Sequence, residues 1–152
     1  MADPNQVAFN MMQNATKDQF MEFIDSSRKE EEDFQRRMPH LVKNKEKNFV
    51  QRILNPKLNK GKEVFDEEGR SMSHLMTSAG NRVIPMVVDK GGKKLHRFED
   101  DPLTIPEHKR KSAFDKAWEY ADKTGEYIET DTEEEATWLG ENYKTEEFKR
   151  GY

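Results

Sequence analysis

The stretch from Ser112 to Tyr143 constrains the fold more than any other, because its local signals agree with one another. Ala113, Phe114, Ala117, Trp118 and Ala121 recur at spacings that put them on one face of a helix. Gly125 follows the last of them, where a left-handed cap favours a residue without Cβ. Glu126–Thr130 is a short β-prone run containing Tyr127 and Ile128. Thr132 and Glu135 match the T-x-x-E capping box, in which each side chain satisfies the other's free backbone N–H. Ala136, Leu139 and Tyr143 then carry the next apolar stripe. Helix, stop, strand and helix follow in order. The unit specifies architecture and contains no reactive constellation.

Upstream, Ser71–Ala79 reads as a strand and Gly80-Asn81 as a turn. Arg82–Val88 is the most β-prone run, with Pro85 inside it marking an edge or a bulge. Gly91-Gly92 signals a hairpin into a return strand, Lys93–Phe98. The expectation is an α+β fold. Three strands form an antiparallel meander, Glu126–Thr130 adds a fourth, and the two late helices pack on one face. Leu58–Arg70 reads as linker, and Glu99–Arg110, with Pro102 and Pro106, as an irregular connection.

The N-terminal part is helical in pattern. Pro4 is placed to open a helix carrying Val7, Met11 and Met12. Thr16 and Gln19 form a second capping box. It opens a helix with Phe20, Phe23, Ile24, Ser27, Glu31, Phe34 and Met38 on a narrow stripe, which Pro39 is expected to end. A stripe that narrow needs a surface to pack on, either in its own chain or in another. Phe20, Phe23, Ile24, Phe34 and Met38 are therefore the candidate partner-binding residues. Leu41–Leu54 reads as a further helix, with Val42, Phe49, Val50, Ile53 and Leu54 apolar, stopped by Asn55-Pro56. The expected organisation is an N-terminal helical arm over 1–40, a basic helix and linker over 41–62, and an α+β domain over 63–152.

Composition limits how much of this can be core. Of 152 residues, 33% are apolar and 37% charged, and mean hydropathy is −1.12. A core that uses the whole length is not expected, and extended segments should lean on partners. Cysteine is absent, which removes disulfides, thiolate metal sites and cysteine nucleophiles. No apolar run is long enough to span a bilayer, and Met1–Asn10 lacks the features of a signal peptide. The expectation is a chain made and used in solution.

The net charge of −4 is uneven. Residues 41–62 hold seven basic and one acidic side chain, whereas residues 115–152 hold twelve acidic and five basic. A basic helix can track phosphates, which makes Lys43, Lys45, Lys47 and Arg52 candidate phosphate ligands. Its one aromatic, Phe49, lies on the apolar stripe, so no base-stacking platform is expected.

Catalytic chemistry finds little support. His40, His74, His96 and His108 show no H-E-x-x-H spacing. His74 and His96 would need a favourable register and a carboxylate such as Asp89 or Asp100 to hold a metal. Ser71 and Ser73 flank His74 without a G-x-S-x-G elbow, and Gly91-Gly92 lacks the Lys-Ser/Thr of a phosphate loop. No catalytic residue, metal ligand or cofactor is assigned.

From Asn48 to Lys144 the chain resembles a small module of virion-associated proteins of tailed bacteriophages. The residues that carry the resemblance are Asn48–Pro56, Ser73-His74-Leu75-Met76, Val83-Ile84-Pro85 and Gly92-Lys93-Lys94-Leu95. They continue with Ala113, Ala117 and Ala121, Gly125-Glu126-Tyr127-Ile128, Thr132–Ala136 and Asn142-Tyr143-Lys144. Met86 departs from the threonine usual at its position, and the insertion Pro102–Lys111 is longer and more basic than the module's. The resemblance implies a non-enzymatic structural protein of the virion, made in the bacterial cytoplasm and present in multiple copies. Its partners would be portal, neck, internal core or capsid proteins. The competing expectation is a small nucleic-acid-associated protein that uses the basic middle, with weak, non-specific contact.

Overall fold

A computed structural model describes residues 16–145, 148 and 149. The helix expected around Val7, Met11 and Met12 lies outside the described residues. The chain divides into two compact units between Arg36 and Arg37. Helix α1, Lys17–Lys43, runs through that division. Its start is the reciprocal capping box expected there: Gln19 N–H donates to Thr16 Oγ1 at 3.2 Å, and Thr16 N–H to Gln19 Oε1 at 2.9 Å.

Pro39 does not end α1, which continues to Lys43. An interior proline is costly, but the last turns are held from outside. Leu41 is fully buried. Arg37 Nε donates to Asn142 O at 2.6 Å, and His40 Nε2 lies 3.1 Å from Glu135 Oε1. The expected helix over 41–54 is therefore divided. Leu41–Lys43 belong to α1, and a turn leads to α2, Asn48–Leu54. Glu126 replaces a local N-cap for α2, its carboxylate accepting from Asn48 N–H at 3.0 Å and Phe49 N–H at 3.3 Å. Asn55-Pro56 ends α2 as expected and opens a short 3-10 turn, Pro56–Asn59.

The region read as linker, Leu58–Arg70, supplies β1, Val64–Phe65, and the turn of a hairpin whose other strand, β2, Ser71–Met72, opens the expected strand. Asp66 builds its turn. One carboxylate oxygen accepts from the N–H groups of Glu68 and Arg70, and the other pairs with the Arg70 guanidinium at 2.9 Å. The strand expected over 71–79 breaks at Ser73 and His74, which are buried, and resumes as β3, Met76–Ala79.

The run 82–88 also breaks. β4 is Arg82–Pro85 and β5 is Val87–Val88. Between them Met86 N–H donates to Leu75 O, and Met86 O accepts from Phe98 N–H. Pro85 supplies no ladder donor, which marks the break. β6, His96–Arg97, pairs with β5 alone. The expected meander is thus replaced by a three-stranded antiparallel sheet, β3-β4-β7, with β7 being Ile128–Glu129, and by two separate hairpins.

Helices cover both faces of this sheet, where one face was expected. Neighbouring residues of a strand point to opposite sides, and both Val83 and Ile84 are buried. Val83 joins Ile128, Phe49, Val50 and Ile53, with Ala136 and Leu139 of α4, Glu133–Asn142. Ile84 joins Val88, Phe98, and Ala117 and Ala121 of α3, Ala113–Thr124. The small alanines face the sheet. Trp118 and Phe114, which sequence reasoning placed over it, lie at the rim, with Phe114 39% exposed. The segment 41–62 is part of the core, contributing Phe49, Val50 and Ile53.

Gly125 caps its helix as read, Thr132 supplies one arm of the expected box, and Ser112 adds a cap that the sequence reading did not name. Ser112 Oγ accepts from Asp115 N–H, Thr132 Oγ1 accepts from Glu135 N–H, and Gly125 takes φ 79°. No helix of the described residues is long and apolar enough to cross a membrane.

Candidate functional site

The candidate partner-binding residues separate at the unit boundary. Phe20, Phe23 and Ile24 are half-buried and Phe34 is 45% exposed, all within Lys17–Arg36. Met38 packs instead against the core of the second unit, beside Leu41. It is a core residue there and not part of a docking stripe. A residue just beyond Phe34 is helical and apolar too, so periodicity alone could not separate it.

The candidate phosphate ligands divide as well. Lys43 and Lys45 are exposed. Lys47 is half-buried, its Nζ donating to Tyr127 O and lying 4.8 Å from the centre of the Tyr127 ring. Burial lowers its pKa, against the opposing pull of Glu126 and Glu129. Lys43 and Lys47 line a cavity of about 550 Å³ that also holds Glu129 and Asp131, an unfavourable lining for an anion.

Arg52 is withdrawn from the set. It is 1% exposed. Its Nε donates to Asn48 Oδ1 at 3.1 Å, Nη1 to Asn59 Oδ1 at 3.0 Å and Ser73 O at 2.9 Å, and Nη2 to Val87 O at 3.1 Å. Asn59, itself buried, donates back to Arg52 O and Pro56 O. The guanidinium ties α2 to the 3-10 turn, to the β2–β3 junction and to β5. The i, i+4 spacing of Asn48 and Arg52 was visible, but the burial depends on strands far along the chain.

Ser73 and His74 sit beside this network, at a cavity of about 390 Å³ lined also by Glu63, Lys144 and Phe148. His74 Nε2–H donates to Phe49 O at 3.1 Å, which leaves Nδ1 to accept from Ser73 Oγ–H at 3.1 Å. Burial, reinforced by the nearby Arg52 charge, lowers the His74 pKa to about 3. An imidazole so weakly basic is poorly matched to general-base work at neutral pH. The pair joins the β2–β3 junction to α2. His96 lies elsewhere in contact terms, edge-on to Phe98 at 4.9 Å. Among the described residues no group of three His, Asp or Glu could hold a metal ion.

Sequence reasoning missed a further cluster. The Arg82 guanidinium lies 4.1 Å from the Tyr127 ring centre and 5.1 Å from that of Trp118, and it reaches Asp122 Oδ1 at 3.3 Å. This brings a β4 side chain, an α3 aromatic and the residue before β7 together.

No family model, curated protein or solved structure matches this chain.

Proposed function

We propose that this protein is a non-enzymatic structural component of a tailed-phage virion. It docks through the N-terminal part of α1 on a neighbouring virion protein of the portal, neck, internal core or capsid. The observation that carries the reading is that Lys17–Arg36 belongs to a different compact unit from the sheet. Of α1, only Arg37 and Leu41 are buried, both in the second unit. Phe34 is exposed and Phe20, Phe23 and Ile24 are half-buried, and all four are large apolar residues of the type that carries most of the energy at an interface centre, often about 2 kcal/mol or more each. The resemblance of Asn48–Lys144 to a virion module supports the setting.

Mass spectrometry of purified particles tests the reading. The protein should be present at a reproducible copy number, and its absence from particles would overturn the proposal. Nucleic-acid contact is the lesser reading. Without Arg52 it rests on Lys43 and Lys45, and it predicts weak binding lost steeply as salt rises.

A further inference from the structure

A groove of about 650 Å³ opens between the β3–β4 turn and α3. Its aromatic side is Phe114 and Trp118, whose rings stack with centroids 6.5 Å apart and planes inclined by 27°. Arg82 holds Trp118 from the sheet side. Asp115, Asp122 and Glu129 also line the groove, so three carboxylates face one guanidinium. Asp122 is engaged by Arg82, while Asp115 and Glu129 make no salt bridge among the described residues. The exposed Phe114 ring beside surplus carboxylates suits a cationic side chain, whose ammonium is attracted to both.

The same unit carries the complementary charge on an exposed turn. In the β5–β6 turn, Asp89 Oδ1 accepts from Gly91 N–H at 2.8 Å, and Oδ2 pairs with Lys62 Nζ at 3.1 Å. Gly91 takes φ +85°, which completes the turn. Lys90 is occupied over the Phe98 and Tyr120 rings, at 5.3 and 5.2 Å. Lys93 and Lys94 are exposed, and among the described residues neither has an ion-pair partner. Two lysines are thus held out on a turn whose base is fixed.

We propose that Lys93 and Lys94 of one copy enter the Phe114–Trp118 groove of the next, so that the protein associates head to tail. The lysine ammonium groups meet Asp115 and Glu129, and their stems cover Phe114. The contact joins two different surfaces, so every copy keeps one turn and one groove for its neighbours. Such heterologous contacts build a ring when the rotation closes and a filament when it does not. The inference goes beyond the docking role of α1 and does not depend on it.

Sedimentation of the full-length protein over a range of concentrations tests this. Average mass should rise with concentration at low salt and fall back at high salt. Lys93→Glu with Lys94→Glu should weaken association at least tenfold, and Asp115→Lys with Glu129→Lys should do the same. Mixing these two variants should restore association, because each then offers the other's reversed partner. Should a reversal fail to fold, the neutral pairs, Lys93→Ala with Lys94→Ala and Asp115→Asn with Glu129→Gln, test the weakening alone, recovery on mixing being read only from the charge reversals. A monomer at all concentrations would overturn the proposal. So would association indifferent to these changes, or loss in both variants without recovery on mixing.

Discussion

In α1, 27 residues long, the buried side chains are Arg37 and Leu41; in α2, of 7 residues, they are Phe49, Val50, Arg52 and Ile53. The two helices draw on similar residue types, since Phe20, Phe23, Ile24 and Phe34 are as apolar as Phe49, Val50 and Ile53. Length would favour α1, because a helix of two turns is marginal on its own. What secures α2 comes from distant residues: the Glu126 carboxylate at its N-terminus, Asn59 and the Ser73 carbonyl on Arg52, and the sheet beneath Phe49. The part of α1 before Arg37 has local supports, the Thr16–Gln19 box at its start and a 3.0 Å hydrogen bond from Gln35 to Glu31 farther along. Apolar content therefore does not decide which helix enters the core. Partners elsewhere in the chain decide it, and no residue of the Phe20–Phe34 stripe is fully buried.

Arg52→Met should be the most damaging change in α2. It takes donors from Asn59 Oδ1, Ser73 O and Val87 O, all engaged by the guanidinium. Each orphaned buried acceptor costs about 1–3 kcal/mol. Thermal melts should show near-complete loss of the cooperative transition at room temperature. A melt close to that of the unaltered protein would mean the network is incidental.

Phe49→Ala comes next, at about 3–5 kcal/mol, because the ring leaves a cavity among packed neighbours. Denaturant titration measures it, and a loss below about 1 kcal/mol would contradict the placement of α2 in the core.

Acid should act on the same junction through His74. Its folded pKa is about 3, against 6.5 in the free side chain. The unfolded chain therefore takes up the proton first. Nothing is lost at neutral pH, and stability falls as pH drops from about 6.5 towards 3, on the order of 1.4 kcal/mol per pH unit. Melts of the unaltered protein and of His74→Gln at several pH values should show the steeper decline in the former. Parallel curves would contradict the buried, neutral imidazole.

The smallest effect belongs to α1. Phe34→Ala should change stability by no more than about 0.5 kcal/mol, as for a surface site.

What could be read beforehand was local chemistry. The Thr16–Gln19 box, Asn55-Pro56 and Gly125 each act within a few residues and form as read, and Thr132 supplies its arm of the expected box. Strand neighbours could not be read the same way. The hairpin that pairs Val88 with His96 forms where Gly91-Gly92 signalled it, but the pairing of Val83 with Ile128 is a choice between distant segments. That choice turned an expected meander into a three-stranded sheet with a separate hairpin. The two-sided cover follows from it, because a central strand buried on both faces needs helices on each. For α3, spacing named the right face but not its centre: Ala117 and Ala121 meet the sheet while Trp118 stands at the rim on Arg82. Arg52 looked like a surface cation because nothing within a few residues announces that Ser73 and Val87 will enclose it.

The proposed docking role of the α1 stripe is tested most directly by one double substitution, Phe23→Asp with Phe34→Asp, followed in two assays on the full chain. The account predicts an unchanged main thermal transition together with loss of the protein from assembled particles. Incorporation at the normal copy number would contradict it, and so would collapse of the main transition, which would place the stripe within the core.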